Sequence, residues 1–131
     1  MKPSYLLDSS VCIPVLRNKA GLDKLPDPAV TGIPVIVAAE LWTGVKKNLK
    51  THPHQVARLE AFLSLFWIAD FNLDAAIHYG DIRAVLEAAG KLIGPLDLLI
   101  ASQARSLGAT LVTAHVAEFR RVKGLKVQAY A

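Results

Sequence analysis

Short apolar runs without polar alternation recur along this chain: Tyr5-Leu6-Leu7, Pro34-Val35-Ile36-Val37, Trp67-Ile68-Ala69, Ala109-Thr110-Leu111-Val112-Thr113 and Leu125 to Ala129. A strand that lacks a polar side is covered on both faces, the condition of a parallel sheet between helices. The intervening segments carry helical patterns. Ala38-Ala39-Glu40-Leu41-Trp42 is rich in helix formers and runs toward Lys50. From about Pro53 to Phe66, the residues Val56, Leu59, Leu63 and Phe66 fall on one helical face. Leu73 to Ala89 places Ala76, Ile77, Ile82, Val85, Leu86 and Ala89 near helical spacing, with Gly90 as the stop. Gly94-Pro95 opens another helix that ends at Gly108. Ser9-Ser10 reads as the cap of a short helix with Pro14 near its first turn, and Leu22 to Gly32, with Pro26, Pro28 and Gly32, as a loop. The alternation predicts one α/β domain over residues 1–131, a mostly parallel central sheet flanked by helices.

Composition narrows the class. A chain of 131 residues suits one domain, and 53% hydrophobic residues with a net charge of only +4 exclude intrinsic disorder. The lone cysteine, Cys12, excludes a disulfide framework and a cysteine-built zinc site, and is what a reducing compartment permits. No apolar run approaches the roughly 20 residues that cross a bilayer, and Asp8 follows Met1-Lys2-Pro3 too soon for a signal-peptide core. The expectation is a soluble cytoplasmic protein without a membrane partner. Its positive charge is compatible with a polyanion.

Three carboxylates stand in apolar company: Asp8 after Tyr-Leu-Leu, Glu40 between Ala39 and Leu41, and Asp97 within Leu96-Asp97-Leu98-Leu99. Each lies at or just beyond the end of an apolar element, where open parallel sheets bind ligands. Singly, each has an ordinary reading. Asp97 in a first helical turn meets the helix dipole, Asp8 suits a turn, and Glu40 suits an exposed helical position. Brought into one crevice they would weaken the fold unless protonated or neutralised by a cation, because two carboxylates about 4 Å apart repel by roughly 4 kcal/mol at an effective dielectric near 20. Hard oxygen ligands without thiols select Mg²⁺ or Mn²⁺ over zinc. Such an ion activates water and shields a phosphodiester for in-line attack.

The blocks Tyr5-Leu6-Leu7-Asp8-Ser9-Ser10, Val37-Ala38-Ala39-Glu40-Leu41 with Gly44, Ile93-Gly94-Pro95-Leu96-Asp97-Leu98-Leu99-Ile100-Ala101 and Gly108-Ala109-Thr110-Leu111-Val112-Thr113 resemble the PIN-domain family. Glu118-Phe119 and Val122-Lys123-Gly124-Leu125 complete the pattern, which is collinear from about residue 4 to residue 128. Within that family the chain looks most like the VapC-type toxins of bacterial toxin–antitoxin pairs. The resemblance implies a Mg²⁺- or Mn²⁺-dependent endoribonuclease. Asp8 and Asp97 would be principal metal ligands, Glu40 would complete the acidic pocket directly or through water, and Thr113 would hydrogen-bond an acid at its floor. The fourth pocket position, usually Asp or Asn, is here His115, whose neutral imidazole supplies no carboxylate charge.

The resemblance also implies a homodimer and a VapB-type antitoxin whose C-terminal segment covers a groove, to which the Val56–Phe66 helix would contribute. Lys46 and Lys47 on the Glu40 helix, and Arg83 on the long helix, are candidate RNA phosphate contacts; Lys50, Arg105, Arg120, Arg121 and Lys123 are further cations. Two rival readings stand beside the nuclease. One is a catalytically impaired PIN-like module that binds RNA or antitoxin, allowed by His115. The other is a phosphoacceptor receiver domain, disfavoured because Asp8-Ser9-Ser10 lacks an acid pair and no lysine closely follows Thr113.

Overall fold

The computed structural model describes residues 2–130. Five strands, β1 (Tyr5–Leu7), β2 (Thr31–Pro34), β3 (Trp67–Ala69), β4 (Thr110–Thr113) and β5 (Lys126–Ala129), form one sheet in the order β3-β2-β1-β4-β5. Every neighbouring pair is parallel, with Leu7 opposite Val112 and Thr113 opposite Ala129. The helices are α1 (Ser9–Leu16), α2 (Val35–Lys47), α3 (Gln55–Leu63), α4 (Leu73–Ala88), α5 (Pro95–Leu107) and α6 (Val116–Phe119). The chain moves outward from β1 through β2 to β3, then returns to the other side of β1 for β4 and β5. That reversal makes the carboxyl ends of β1 and β4 a topological switch point, where crossover helices part and leave a crevice. Leu6, Leu7, Ile33, Val37, Leu59, Ile100, Leu111 and Phe119 are buried between the layers. Among the described residues no helix is long and apolar enough to cross a membrane.

Five local expectations are corrected. The second strand is Thr31–Pro34, and Val35-Ile36-Val37 instead opens α2. Pro34 stands at that helix's N-cap with φ −57°, and the Ala38–Leu41 helix formers extend the turn against the strand preference of three β-branched residues. Gly32, read as a loop signal, lies in the buried strand because a Cβ there would approach Leu6 Cδ2 to 3.0 Å and Pro3 Cγ to 3.2 Å. The cap of α1 is Asp8, whose backbone carbonyl accepts the Val11 and Cys12 N–H groups, and Pro14 falls in the second turn. The third helix spans Gln55–Leu63, shorter than the apolar pattern, with Phe62 and Phe66 stacked inward at 5.1 Å between ring centres. On α4 the buried side is Ala75, Ile82 and Leu86, leaving Ile77 and Val85 exposed.

Candidate active site

Asp8 leaves β1 at the switch point and is only 3% exposed. A carboxylate this deep is tolerated only when its oxygens are hydrogen-bonded. Both are. Ser10 Oγ donates to Asp8 Oδ1 at 2.5 Å, and Thr113 Oγ1 donates to Asp8 Oδ2 at 2.5 Å. The two hydroxyls are themselves held by the turn after β4: the Ala114 N–H donates to Ser10 Oγ (3.0 Å) and the His115 N–H to Thr113 Oγ1 (2.9 Å). Asp8 is thus fixed in orientation by strands β1 and β4 together.

Glu40 lies about a turn and a half into α2 and Asp97 in the first turn of α5, both partly buried. Burial pushes the Glu40 carboxyl above its ordinary value, and the charges of Asp97 and then Asp8 push it further. Burial likewise raises Asp97, followed by the Glu118 and Asp8 charges, while His115 pulls it down. The three acids therefore share one electrostatic neighbourhood although 32 and 57 residues separate them along the chain (40 − 8 and 97 − 40). Buried Glu40 Oε1 has no hydrogen-bond partner among the described residues. The Cys12 thiol beneath them is pushed far up by its burial and by Asp8 and Glu40.

An unpartnered buried carboxylate oxygen that feels the charge of two further acids suits a hard divalent cation. Among the described residues no three His, Cys, Asp or Glu side chains are grouped closely enough to cage an ion alone.

The other candidates separate into those near the acids and those elsewhere. Thr113 is fully buried beneath Asp8. His115 is exposed, begins α6 without a side-chain cap bond, and acts on Asp97 through charge. Glu118 accepts the Gly94 N–H at 3.3 Å and so braces the turn that launches Asp97. Lys46 and Lys47 are exposed on the last turn of α2, with Lys46 Nζ 5.6 Å from the centre of the Trp42 ring. Arg83 is not turned to the acids: its guanidinium is engaged by Glu87 (2.7 Å) and Tyr79 (2.9 Å) on its own helix. Arg105 is likewise structural, bonded to His78, Asp81 and the Lys123 carbonyl.

Sequence reasoning missed Ser10 and two arginines. Ser10 had a signal in the Asp-x-Ser spacing at a strand end, read there only as a cap. Arg17 and Arg58 line a groove of about 320 Å³ with Ile13, Leu16, Glu40, Leu41, Val45 and Leu59. Of the apolar residues of Val56–Phe66 expected to form a groove, Leu59 reaches this one, with the polar Arg58 beside it.

The PIN domain family model matches residues 5–125. Ribonuclease VapC2 of Rickettsia felis is 38% identical over 126 residues, covering 92% of this chain and 93% of the relative. The tRNA(fMet)-specific endonuclease VapC of Shigella flexneri is 34% identical, covering 95% and 96%. Among solved structures, DNA-bound VapBC from Salmonella typhimurium superposes with a TM-score of 0.90 at 32% identity over 100% of both chains. VapBC2 from Rickettsia felis, bound to a fragment of promoter DNA, superposes with a TM-score of 0.85 at 34% identity, covering 97% and 98%. Fold, acidic switch-point crevice and whole-chain similarity agree: the chain belongs to the PIN-domain family, and within it to the VapC-type ribonuclease toxins.

Proposed function

We propose that residues 1–131 act as one nuclease domain, an endoribonuclease that is the toxin of a type II toxin–antitoxin pair and works in the cytoplasm. VapC-type PIN nucleases depend on a divalent metal ion, and the all-oxygen donor set supports Mg²⁺ or Mn²⁺ here. In this reading Asp8 and Asp97 hold the ion, and Glu40 holds it directly or through water. The observation that carries the reading is the unpartnered, buried Glu40 oxygen beside two other acids. When bound, such an ion supplies charge neutralisation at the phosphodiester and eases deprotonation of water.

The protein's own groups do the rest. Ser10 and Thr113 lock both Asp8 oxygens, so the acid needs no reorganisation as charge develops. Glu40, whose carboxyl is pushed above its ordinary value by burial and then by the Asp97 and Asp8 charges, is the proton acceptor proposed for an attacking water. Water adds across a P–O bond and one RNA strand becomes two fragments. Lys46 and Lys47 supply phosphate contacts in this reading, and Arg83 becomes one only by leaving Glu87 and Tyr79.

A VapB-type antitoxin and a second copy of the chain are the proposed protein partners, by likeness to the VapBC complexes. By likeness to the Shigella flexneri relative, tRNA(fMet) is the first substrate to test. Sequencing RNA 5′ ends after brief expression tests the function. The expected result is a discrete set of new ends absent from Asp8→Asn cells. Identical end profiles for both proteins would contradict it.

A further inference from the structure

The groove between α1, α2 and α3 includes Glu40 in its lining and so opens onto the acidic crevice. Its floor is apolar, with Leu41, Val45 and Leu59 all less than a tenth exposed. Its rim is cationic: Arg17 follows the last turn of α1, Arg58 lies on α3, and both are exposed. Among the described residues neither guanidinium has a side-chain hydrogen bond or ion-pair partner, in contrast to Arg83 and Arg105. Lys19 follows Arg17, and Lys46, Lys47 and Lys50 follow along and beyond α2, all exposed. Glu40 is the one acid in the lining of this groove.

We propose that this groove is the track for the RNA strand flanking the scissile bond, with Arg17 and Arg58 each holding a phosphate. The inference rests on the ribonuclease reading above and assigns the path that the substrate takes to the acids. Charge complementarity selects the occupant. Two unpaired arginines on the rim of a groove whose lining includes Glu40 suit a chain with one negative charge per residue. The apolar floor gives sugars and bases a bed that reads no sequence, while the amide of Gln55, also in the lining, can meet a base edge. An antitoxin segment lying in the same groove would compete with RNA for these arginines. Arg17 and Arg58 are positioning residues, since neither touches the reacting atoms.

The test is fluorescence anisotropy of a labelled oligouridine strand on the full chain, titrated at several KCl concentrations. All proteins carry Asp97→Asn so that the strand stays intact. Arg17→Ala/Arg58→Ala should weaken binding about tenfold and reduce the slope of log Kd against log[KCl] by about 1.4, or about 0.7 for each lost phosphate contact on a single strand. Arg17→Lys/Arg58→Lys should retain most of that slope. With Asp97 restored, the alanine pair should raise KM for RNA and leave kcat nearly unchanged. Unaltered affinity and slope, accompanied by loss of antitoxin binding, would overturn the proposal and make the groove a protein site alone. If the wild-type chain cleaved no RNA while the slope still fell in the alanine pair, the track would stand and the nuclease reading would fall.

Discussion

Thr113 Oγ1 donates to Asp8 Oδ2 at 2.5 Å while accepting the His115 N–H at 2.9 Å, so one buried hydroxyl ties the acid at the end of β1 to the turn after β4. Thr113→Val keeps the shape and removes both bonds. It is expected to cost about 1–3 kcal/mol of stability, the penalty for stranding a buried acceptor, and about 100-fold in cleavage through a misplaced Asp8. Thr113→Ser should keep most of both. Thermal melts and single-turnover cleavage of the two variants check this.

The metal-free protein is expected to gain stability as pH falls from neutrality toward the ordinary carboxylate range. Asp97 and Glu40 both have folded-state values raised above their ordinary ones. Between the unfolded and folded values the native state binds more protons, so stability is lost as pH rises through that window. The penalty is fully present above the folded values. Asp97→Asn should therefore raise the melting temperature in chelator at neutral pH by about 2–4 °C, a small gain because the partly exposed group is screened by solvent. Cleavage should be lost at the same time. A fall of several degrees would instead assign Asp97 to stabilising the start of α5 through the helix dipole.

His115 occupies the position where the family usually has Asp or Asn, yet its side chain is exposed and caps nothing. His115→Ala should change the cleavage rate less than about threefold at pH 8, within the range of a surface substitution. His115→Asp adds a further negative charge near Asp97. It should lower the metal-free melting temperature and tighten Mn²⁺ binding, both read from melts with and without Mn²⁺.

Cys12 is fully buried, and its thiol is pushed far up by that burial and by Asp8 and Glu40. Only the thiolate reacts with alkylating agents. Iodoacetamide should leave the native protein unmodified at pH 8 and label it fully in denaturant, as mass spectrometry would show.

Much of this architecture is written locally. The runs Tyr5-Leu6-Leu7 and Thr110–Thr113 fix two neighbouring parallel strands because they are apolar without alternation, and Gly90 and Gly108, both at φ +65°, mark helix ends that a sequence displays openly. Val35-Ile36-Val37 misleads because strand preference is a packing preference: once Pro34 turns the chain, those residues cover the sheet from a helix. The three acids were legible as misfits in apolar surroundings. Their partners were less so. Ser10 is committed to Asp8 by a turn 104 residues away, and no local pattern announces that the Ala114 N–H will hold its hydroxyl. Arg17, Arg58 and Arg83 look alike as surface cations. Arg83 is engaged by Tyr79 and Glu87 at four-residue spacing, whereas Arg17 and Arg58 gain meaning only when α1 and α3 meet over Glu40.

Isothermal titration of Mn²⁺ into the chelator-treated chain reads whether Asp8, Glu40 and Asp97 together hold a divalent ion. The wild-type protein should show saturable uptake that is abolished in Asp8→Asn and Asp97→Asn, weakened in Glu40→Gln, and lost in parallel with RNA cleavage. Undiminished uptake in Asp8→Asn and Asp97→Asn, or cleavage that persists without them, would contradict joint ion binding by the three acids.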